Sequence, residues 1–478
     1  MSSRHSATTG SRTRGAVNTP SSSSTPRSRT CPTSIMNRHR LAFAAVLLLA
    51  AGTILPGTAT MQTPQAIVFR NVTVIPMDSD RIVAAQAVVV RGSVIESVGP
   101  AASSHAPAGG MVIDGTGGFL VPGLTDMHVH LPGPTAPVGR ADDELFLYVA
   151  NGVTTARSMA GFDTHVRLRE RINTGELIGP TLFLAGPGLD GERVKSPDEG
   201  EREVRQQKQR GYDLVKILPG LSLASYDAIV KTAREVGIPF VGHVPADVGI
   251  RHAIESGQET IEHLDGYLEY LKGREPVAAD AMVPIVAQTK RAGVWNVPTM
   301  TVMVVNVGTI DSKELVVRPE LQYIAKDYID QWLALRARSH IPKQTSDVIQ
   351  ANRMHLLKAL NDAGARILVG TDSPQLFNVP GFSIVREMQM MVAAGMTPYQ
   401  VIRAGTEQTG EYFNRPCGTI TAGACADLIL LDANPLQDLR SFARKRGVMV
   451  RGRWIPEGDI KRQLEQIRSR PGNYRLTN

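Results

Sequence analysis

The chain has 478 residues, of which 42% are hydrophobic and 20% charged, and its formal net charge is +7. This composition is ordinary for a globular protein and excludes a disordered or fibrous chain. The charge does not indicate a nucleic-acid partner, because residues 1–65 hold seven arginines and no acidic residue, so that 7 − 7 leaves the rest of the chain neutral. We therefore expect no nucleic-acid partner.

The first 60 residues have the pattern of a leader. Residues 1–35 are rich in Ser, Thr and Arg, which predicts a disordered or non-native extension. Residues 36–60 predict a signal peptide, with a basic start after Met36, an apolar run over 41–55 and small residues near Ala59 and Thr60. Because that run is short for a membrane span, we expect an exported protein, periplasmic or secreted, without a stable membrane partner once the signal is removed. An uncleaved N-terminal anchor is the alternative.

Two β-rich stretches follow at the ends of the mature chain, over 66–122 and 415–460. They contain "AIVFRNVTVIPM", "AQAVVVRGSVIESVG", "ADLILLDANP" and "RGVMVRGRWI". Alternating Val and Ile are typical of antiparallel strands, so we expect one small β-sandwich built from both ends and a C-terminal tail over 461–478. Cys417 and Cys425 lie eight positions apart and permit one small-loop disulfide at most.

The middle of the chain, 123–414, alternates strand-like and helix-like segments. The predicted strands lie at 124–130, 153–159, 181–186, 214–218, 239–244, 260–264, 294–299 and 366–372. Helical patterns at 225–237 and 247–257 end at Gly, a frequent helix stop. Eight such units in roughly 290 residues predict an α/β fold with a (β/α)8 TIM barrel. The longest connection, 300–365, carries extra helix and is placed to cover an active site.

Six polar side chains stand at the carboxyl ends of these predicted strands. They are His128, His130, Lys216, His243, His263 and Asp372. The carboxyl ends of barrel strands share one cavity, and residues i and i+2 of a strand point the same way. Since imidazole and carboxylate are suitable ligands for Zn²⁺, the set predicts a metal site.

Each residue of the set also has a structural interpretation. A single His in such a strand is more often a core residue, and Asp372 alone more often caps a turn. Lys216 is different, because a lysine between two apolar residues of a buried strand is costly unless its charge is paired or changed. Asp213 or Glu262 would be a partner for an ion pair, whereas a CO₂ adduct would turn the amine into a carboxylate that bridges two metals.

The ordered motifs "PGLTDMHVH", "YDLVKIL", "VGHV", "TIEHLD", "VGTDS" and "GTITAGACADLILLDANP" resemble the amidohydrolase superfamily, in its imidazolonepropionase-like and prolidase-like branch. The likeness covers about residues 66–455. It implies a binuclear centre, most often of zinc, in which His128, His130 and Asp372 bind one metal. Carboxylated Lys216 would bridge, and His243 and His263 would bind the second metal. Relatives often form homo-oligomers, and the resemblance implies the same here.

The resemblance further implies hydrolysis of a C–N amide bond by a metal-bridged hydroxide, with Asp372 as general acid/base. Substrates would be Xaa-Pro or other dipeptides, N-acyl amino acids or related amides. Asp126 is expected to be structural or to orient an imidazole. The chain departs from the branch at Ser158, where an Asp is common, and it lacks a His that some relatives carry in the loop after strand 8. Substrate choice is therefore not transferred.

Recognition of a substrate carboxylate would need a cationic or hydroxyl side chain near the strand ends. The candidates are Arg157, Tyr226 and Tyr267; the alternatives are an ion pair within the barrel wall for the arginine and packing for the tyrosines. Two other functions compete with amide hydrolysis. One is the opening of a cyclic amide such as imidazolonepropionate, and the other is a catalytically inactive barrel that acts as a binding scaffold.

Overall fold

The computed structural model describes residues 65–104, 107, 109–308, 310–338 and 341–476. The predicted extension and signal peptide, residues 1–60, lie outside this part of the chain. Within these ranges, no helix combines the length and the apolar character that a membrane crossing requires. The fold is mixed α/β, with helices and strands alternating through the middle of the chain.

Strands from both ends of the described chain form one sheet. Their bounds are β1 Ala66–Val74, β2 Val83–Arg91, β3 Val94–Pro100, β4 Met111–Asp114, β5 Phe119–Pro122, β14 Leu428–Leu431, β15 Lys445–Val450 and β16 Arg453–Pro456. The order is β16-β15-β14-β5-β1-β2-β3, with β4 beside β1. The antiparallel pair of β5 and β14 sets Val121 opposite Ile429 and so joins the two ends. The buried side chains of Phe69 and Leu428 belong to the apolar core beneath this sheet.

Eight further strands are parallel and lie in two sheets. Their bounds are β6 Leu124–Val129, β7 Val153–Ser158, β8 Thr181–Leu184, β9 Val215–Ile217, β10 Phe240–Gly242, β11 Thr260–Glu262, β12 Trp295–Val297 and β13 Arg366–Ile367. One sheet has the order β6-β7-β8, and the other β13-β12-β11-β10-β9. Isolated parallel bridges join Ala185 to Leu214 and Val129 to Ser373.

The helices fall mainly between these parallel strands. Their bounds are α1 Arg140–Ala150, α2 Asp163–Asn173, α3 Pro197–Gln209, α4 Leu223–Val236, α5 Gly249–Glu255, α6 Tyr267–Tyr270, α7 Ala279–Ala292, α8 Met300–Val307, α9 Ser312–Leu315, α10 Lys326–Ala337, α11 Lys343–Asp362, α12 Ser383–Ala393, α13 Pro398–Ala404, α14 Glu407–Tyr412 and α15 Glu457–Arg468. Helix α4 shows how the sequence sets such bounds. The Ser222 side chain accepts a hydrogen bond from the Ser225 amide at its start, and Gly237 ends it with a φ of 63°.

The chain passes from the first sheet into the parallel strands at Gly123, between β5 and β6. A Cβ at this position would lie 2.2 Å from Thr154 Oγ1, so the crossing requires glycine. Because β6 starts at the next residue, this crossing fixes where the two histidines of "HVH" emerge from the strand.

The predicted strand over 366–372 is a strand only at Arg366–Ile367. Beyond it, Asp372 has a φ of 60°, which removes this residue from extended geometry. The backbone still runs beside β6, since the Met127 amide donates to Val369 O at 2.9 Å and the Asp372 amide to His128 O at 2.7 Å. The segment therefore stays next to β6 while its backbone leaves the regular ladder.

The predicted C-terminal tail, residues 461–478, contains part of a helix. Most of α15 lies in residues 461–478, and its Ile467 is fully buried. After α15 the chain pairs with the segment before α10 through an antiparallel bridge between Asn473 and Ala325. Cys417 and Cys425 form the small-loop disulfide that the sequence permitted.

Candidate metal centre

His128 and His130 of "HVH" lie at the end of β6 and face one carboxylate. The Nε2 atoms of His130 and His128 are 2.8 and 3.4 Å from Asp372 Oδ1. One ligand atom from each of the three residues lies within 4.8 Å of the others, a group that could hold a metal ion. The i, i+2 spacing on β6 and the adjacent segment after β13 bring these three side chains together.

Asp126, two residues before His128, holds the loop that carries Asp372. Its Oδ1 accepts the Thr371 amide at 2.9 Å, and its Oδ2 accepts the Thr371 hydroxyl at 2.6 Å. The contact with His128 is to the backbone amide, at 3.2 Å. Of the two roles expected for Asp126, these contacts match the structural one, because its oxygens accept from two backbone amides and the Thr371 hydroxyl. Burial raises the pKa of this carboxyl to about 7.

Two more histidines extend the cluster. His243 follows β10 and His263 follows β11, and their ring centroids are 4.7 Å apart. The His263 ring is also 4.7 Å from that of His128, which is 5.4 Å from His130. The four imidazoles therefore form one continuous row along the carboxyl ends of three parallel strands.

Three of these imidazoles have a partner on Nδ1. His128 Nδ1 donates to Glu262 Oε2 at 2.7 Å, and His243 Nδ1 donates to an oxygen of Asp265. His263 Nδ1 is 2.6 Å from the Thr299 hydroxyl. A donated Nδ1–H leaves the lone pair on Nε2, which is the tautomer that ligates a metal through Nε2. His128 Nε2 therefore presents a lone pair toward Asp372.

Lys216 of β9 is a buried amine without a partner. Its side chain is 1% exposed, and its Nζ has no hydrogen bond to any residue that the structure describes. The two ion-pair partners considered from the sequence are engaged elsewhere: Asp213 with Arg169 at 2.7 Å, and Glu262 with Arg157 at 2.7 Å. An orphaned amine beside imidazoles and a carboxylate fits a position where charge is changed by modification or by a bound cation.

The glycine of "VGHV" gives the lysine its space. A Cβ on Gly242 would lie 2.9 Å from Lys216 Cδ and 2.3 Å from Ile217 O, and Gly242 has a φ of 128°. Gly370 serves His128 in the same way, because a Cβ there would lie 3.0 Å from His128 Cβ. These two glycines therefore let β10 and the segment after β13 approach the site closely.

The electrostatics of the cluster favour metal-binding protonation states. Burial lowers the pKa of His128 and His263 well below the usual range, and Lys216 adds to this effect at His128. Burial opposes ionisation of Asp372, but His128 and His130 hold the pKa of this carboxyl below its usual value. Burial lowers the pKa of Lys216 to about 8. Neutral imidazoles and an ionised carboxylate are the forms that bind divalent ions.

The three candidates for substrate binding all have internal partners. Arg157 is fully buried and donates to Met127 O at 2.8 Å and to Glu262 Oε1 at 2.7 Å. Tyr226 donates to Gln258 Oε1 at 3.0 Å. Tyr267 donates to Asn296 Oδ1 at 2.9 Å. These contacts match the structural alternatives, an ion pair for the arginine and packing for the tyrosines.

Sequence reasoning missed the residues that orient the imidazoles. Glu262 was considered only as a partner for Lys216, and Asp265 and Thr299 were not considered. The signal for the first two is in "IEHLD", where acidic residues stand one before and two after His263. Thr299, which is 36 positions from its histidine, gives no such signal. Ser158, the departure on the second strand, donates to Ala160 O at 3.4 Å.

Comparison with known proteins adds a family and a set of similar structures. The sequence profile of the Amidohydrolase family matches residues 119–455. The ochratoxinase of Aspergillus niger is 24% identical over 400 residues, which cover 69% of this chain and 73% of that protein. A solved Xaa-Pro dipeptidase with bound methionine aligns with a TM-score of 0.62 and 21% identity, over 82% of this chain and 100% of that chain. Bottromycin amidohydrolase aligns with a TM-score of 0.69 and 23% identity, over 85% of this chain and 91% of that chain.

At these identities the structural likenesses show a shared fold. The family match is stronger, because it spans more than half of the 478 residues and includes every member of the His, Asp and Lys cluster. The resemblance drawn from the motifs is thereby confirmed, and this chain belongs to the Amidohydrolase family.

Proposed function

We propose that this protein is a metal-dependent hydrolase that cleaves a C–N amide bond in a small substrate. The observation that carries the proposal is the convergence of four imidazoles, one carboxylate and one unpartnered buried amine at the ends of parallel strands. Such a set is costly to assemble in a folded protein unless a ligand or a modification satisfies it.

The proposal includes a closed (β/α)8 barrel over residues 123–414. The bridges from Ala185 to Leu214 and from Val129 to Ser373 support it, because they connect the two parallel sheets at both edges. It also includes a small β-sandwich from residues 66–122 and 415–460. The break in register between Phe69 and Val72 supports a sheet that bends.

Two divalent cations, most often zinc in such sites, suit the donors. We propose that His128, His130 and Asp372 hold one ion and that His243 and His263 hold the other. Lys216, carboxylated by CO₂, would lie between them. Bound ions would supply Lewis-acid polarisation of the scissile carbonyl and a water whose pKa is lowered toward neutrality.

In this proposal Asp372 transfers protons, and two other carboxylates orient the imidazoles. Asp372, held ionised by His128 and His130, takes a proton from the attacking water on a carboxylate oxygen and delivers it to the departing amine. Glu262 and Asp265 keep the imidazoles of His128 and His243 in a single tautomer. The half-buried His130 and His243 mark the side from which a substrate approaches, while His128 lies beneath them.

Among amides, we propose Xaa-Pro and other dipeptides first and N-acyl amino acids second. The likeness to a Xaa-Pro dipeptidase supports placing dipeptides first. Opening of a cyclic amide such as imidazolonepropionate is the second candidate. We also propose export, which rests on the sequence of residues 36–60 alone and is tested by cell fractionation.

One experiment tests the function. The purified protein is analysed for bound metals and incubated with Xaa-Pro dipeptides, N-acyl amino acids and imidazolonepropionate, before and after a chelator. We expect about two ions per chain and release of free amine that stops on chelation and returns with Zn²⁺. Turnover of imidazolonepropionate alone would establish the second candidate. A chain that binds no metal and cleaves nothing would instead be a scaffold.

A further inference from the structure

A continuous hydrogen-bonded chain runs from His128 through the interior to the other end of the parallel strands. Glu262 is its first member, because Oε2 accepts from His128 Nδ1 at 2.7 Å and Oε1 accepts from Arg157 at 2.7 Å. The side chains of Glu262 and Arg157 are both 0% exposed. A buried ion pair of this kind holds its geometry only if its remaining donors and acceptors are satisfied.

The other N–H groups of Arg157 hold its guanidinium in place. Its Nε donates to Met127 O at 2.8 Å, and a terminal nitrogen donates to the Tyr412 hydroxyl at 3.1 Å. The guanidinium also lies 5.4 Å from the centre of the Tyr412 ring. Thr260, on the same strand as Glu262, accepts from Arg157 at 3.2 Å and donates to Glu262.

The series of hydrogen bonds that starts at His128 reaches Tyr412, at the amino end of the strands. Tyr412 is the last residue of α14, and its hydroxyl donates to Glu259 Oε2 at 3.2 Å, just before β11 begins. Its ring packs edge-on against Trp295, the first residue of β12, with centroids 5.9 Å apart. A guanidinium only donates and an ionised carboxylate only accepts, so the direction of each hydrogen bond between Arg157, Glu262 and the Nδ1–H of His128 is fixed.

We propose that Arg157 and Tyr412 are positioning residues for His128, which set the affinity of the site for a divalent cation from the opposite end of the strands. Tyr412 fixes Arg157, Arg157 fixes the Glu262 carboxylate, and the carboxylate fixes the ring and tautomer of His128. The inference rests on the proposed metal centre, but it concerns side chains that contact neither metal nor substrate. It also gives Arg157 a role other than substrate recognition.

The test is Tyr412→Phe, which removes the hydroxyl and keeps the ring contacts with Arg157 and Trp295. The matched control is Tyr267→Phe, because Tyr267 is a buried tyrosine with two hydroxyl partners, Thr289 and Asn296, and among the described residues its hydroxyl has no hydrogen bond to Arg157, Glu262 or His128. Metal-free proteins are titrated with Co²⁺, and the dissociation constant, the visible absorption bands and the melting temperature are recorded. Arg157→Lys is a second variant, which keeps the charge and cannot reach Met127, Tyr412 and Glu262 together.

We expect Tyr412→Phe to weaken Co²⁺ binding about tenfold and to shift the absorption bands, as is typical for loss of a group that orients a ligand. Arg157→Lys should weaken binding further. Tyr267→Phe should bind like the wild type, even if its melting temperature falls as much. Unchanged Co²⁺ affinity and bands in Tyr412→Phe, or an equal shift in Tyr267→Phe, would overturn the inference. Wild-type protein that binds no Co²⁺ would instead refute the metal centre itself.

Discussion

The buried, unpartnered amine of Lys216 allows a direct test of the proposed carboxylation. If carboxylation completes the site, Lys216→Ala should lose about 100-fold or more of the hydrolytic activity, because both cations lose a shared ligand. A short-chain carboxylic acid such as propionate, added with Zn²⁺, should restore part of that loss. The measurement is the initial rate with the best dipeptide of the panel.

The control for this variant is Lys445→Ala. Lys445 is also a buried lysine whose pKa burial lowers to about 8, but it lies in β15 of the other sheet. The Lys445→Ala variant should be less stable than the wild type. Its rate per bound metal should be unchanged, and propionate should have no effect on that rate. Full activity in untreated Lys216→Ala would contradict the bridging role.

Glu144 of α1 allows a prediction of how stability depends on pH. Burial raises the pKa of this carboxyl to about 8, from an ordinary value near 4.5. Between these values the unfolded chain ionises while the folded carboxyl stays protonated, so this group destabilises the fold progressively as pH rises. Glu144→Gln should therefore melt at a higher temperature than the wild type at pH 8, and the difference should shrink toward pH 4.5. Glu170→Gln, which replaces an exposed carboxyl on α2, is measured over the same range as the control.

The residues of the site differ in how far the sequence could predict them. The six members of the cluster were predictable, because strand periodicity and the alternation of βα units place them at the same end of parallel strands. Their partners were not. Arg157 meets Tyr412 across 255 positions, and no local pattern relates a strand of the middle region to the end of a short helix.

At the scale of elements, each of the eight predicted parallel strands is present, and each is shorter than predicted. Apolar runs such as "PFVGHV" extend past the strand ends into the loops that follow, so the run of apolar letters is longer than the strand itself. Strand β10 stops at Gly242, whose positive φ takes the next residue, His243, out of the sheet. The ends of elements therefore depend on contacts that a local pattern does not contain.

Gly242 gives the prediction at this scale. In Gly242→Ala, the new Cβ meets Ile217 O and Lys216 Cδ in a backbone conformation unfavourable to L residues, which should cost about 3 kcal/mol of stability. It should also lower the metal content, because Lys216 must move. Gly237→Ala is the matched control, since its φ is +63° and a Cβ there meets nothing within 4 Å. This variant should cost about 1 kcal/mol and keep its metal; equal metal content in both would contradict a role for Gly242 in seating the lysine.

At the scale of the whole molecule, the two ends of the described chain act on the region between them. β5 and β14 are more than 300 positions apart in the chain and pair residue by residue, which the sequence could suggest only as a likeness of composition. The segment after α15 then reaches back to the long connection between β12 and β13. Lys326 donates its amide to Gly472 O at 2.9 Å, and the Tyr474 amide donates to Ile324 O at 2.9 Å.

Through these contacts the C-terminal segment holds the connection between β12 and β13, which is proposed to cover the active site. Deleting residues 471–478 removes both hydrogen bonds, which together form the bridge between Asn473 and Ala325, while Arg470 keeps its ion pair with Asp143. Each backbone hydrogen bond contributes about 1 kcal/mol, so local opening of α10 should become at least about tenfold more frequent. Hydrogen exchange followed by mass spectrometry should show faster exchange over 326–337 and unchanged exchange in α4.

Since the cluster at His128 lies outside the released segment, the amount of bound metal should stay constant. A change in KM without loss of metal would show that the connection acts on substrate entry. Unaltered exchange over 326–337 would mean that α10 is held by its own buried residues, Ile329 and Trp332, and that the C-terminal segment has no part in holding the cover.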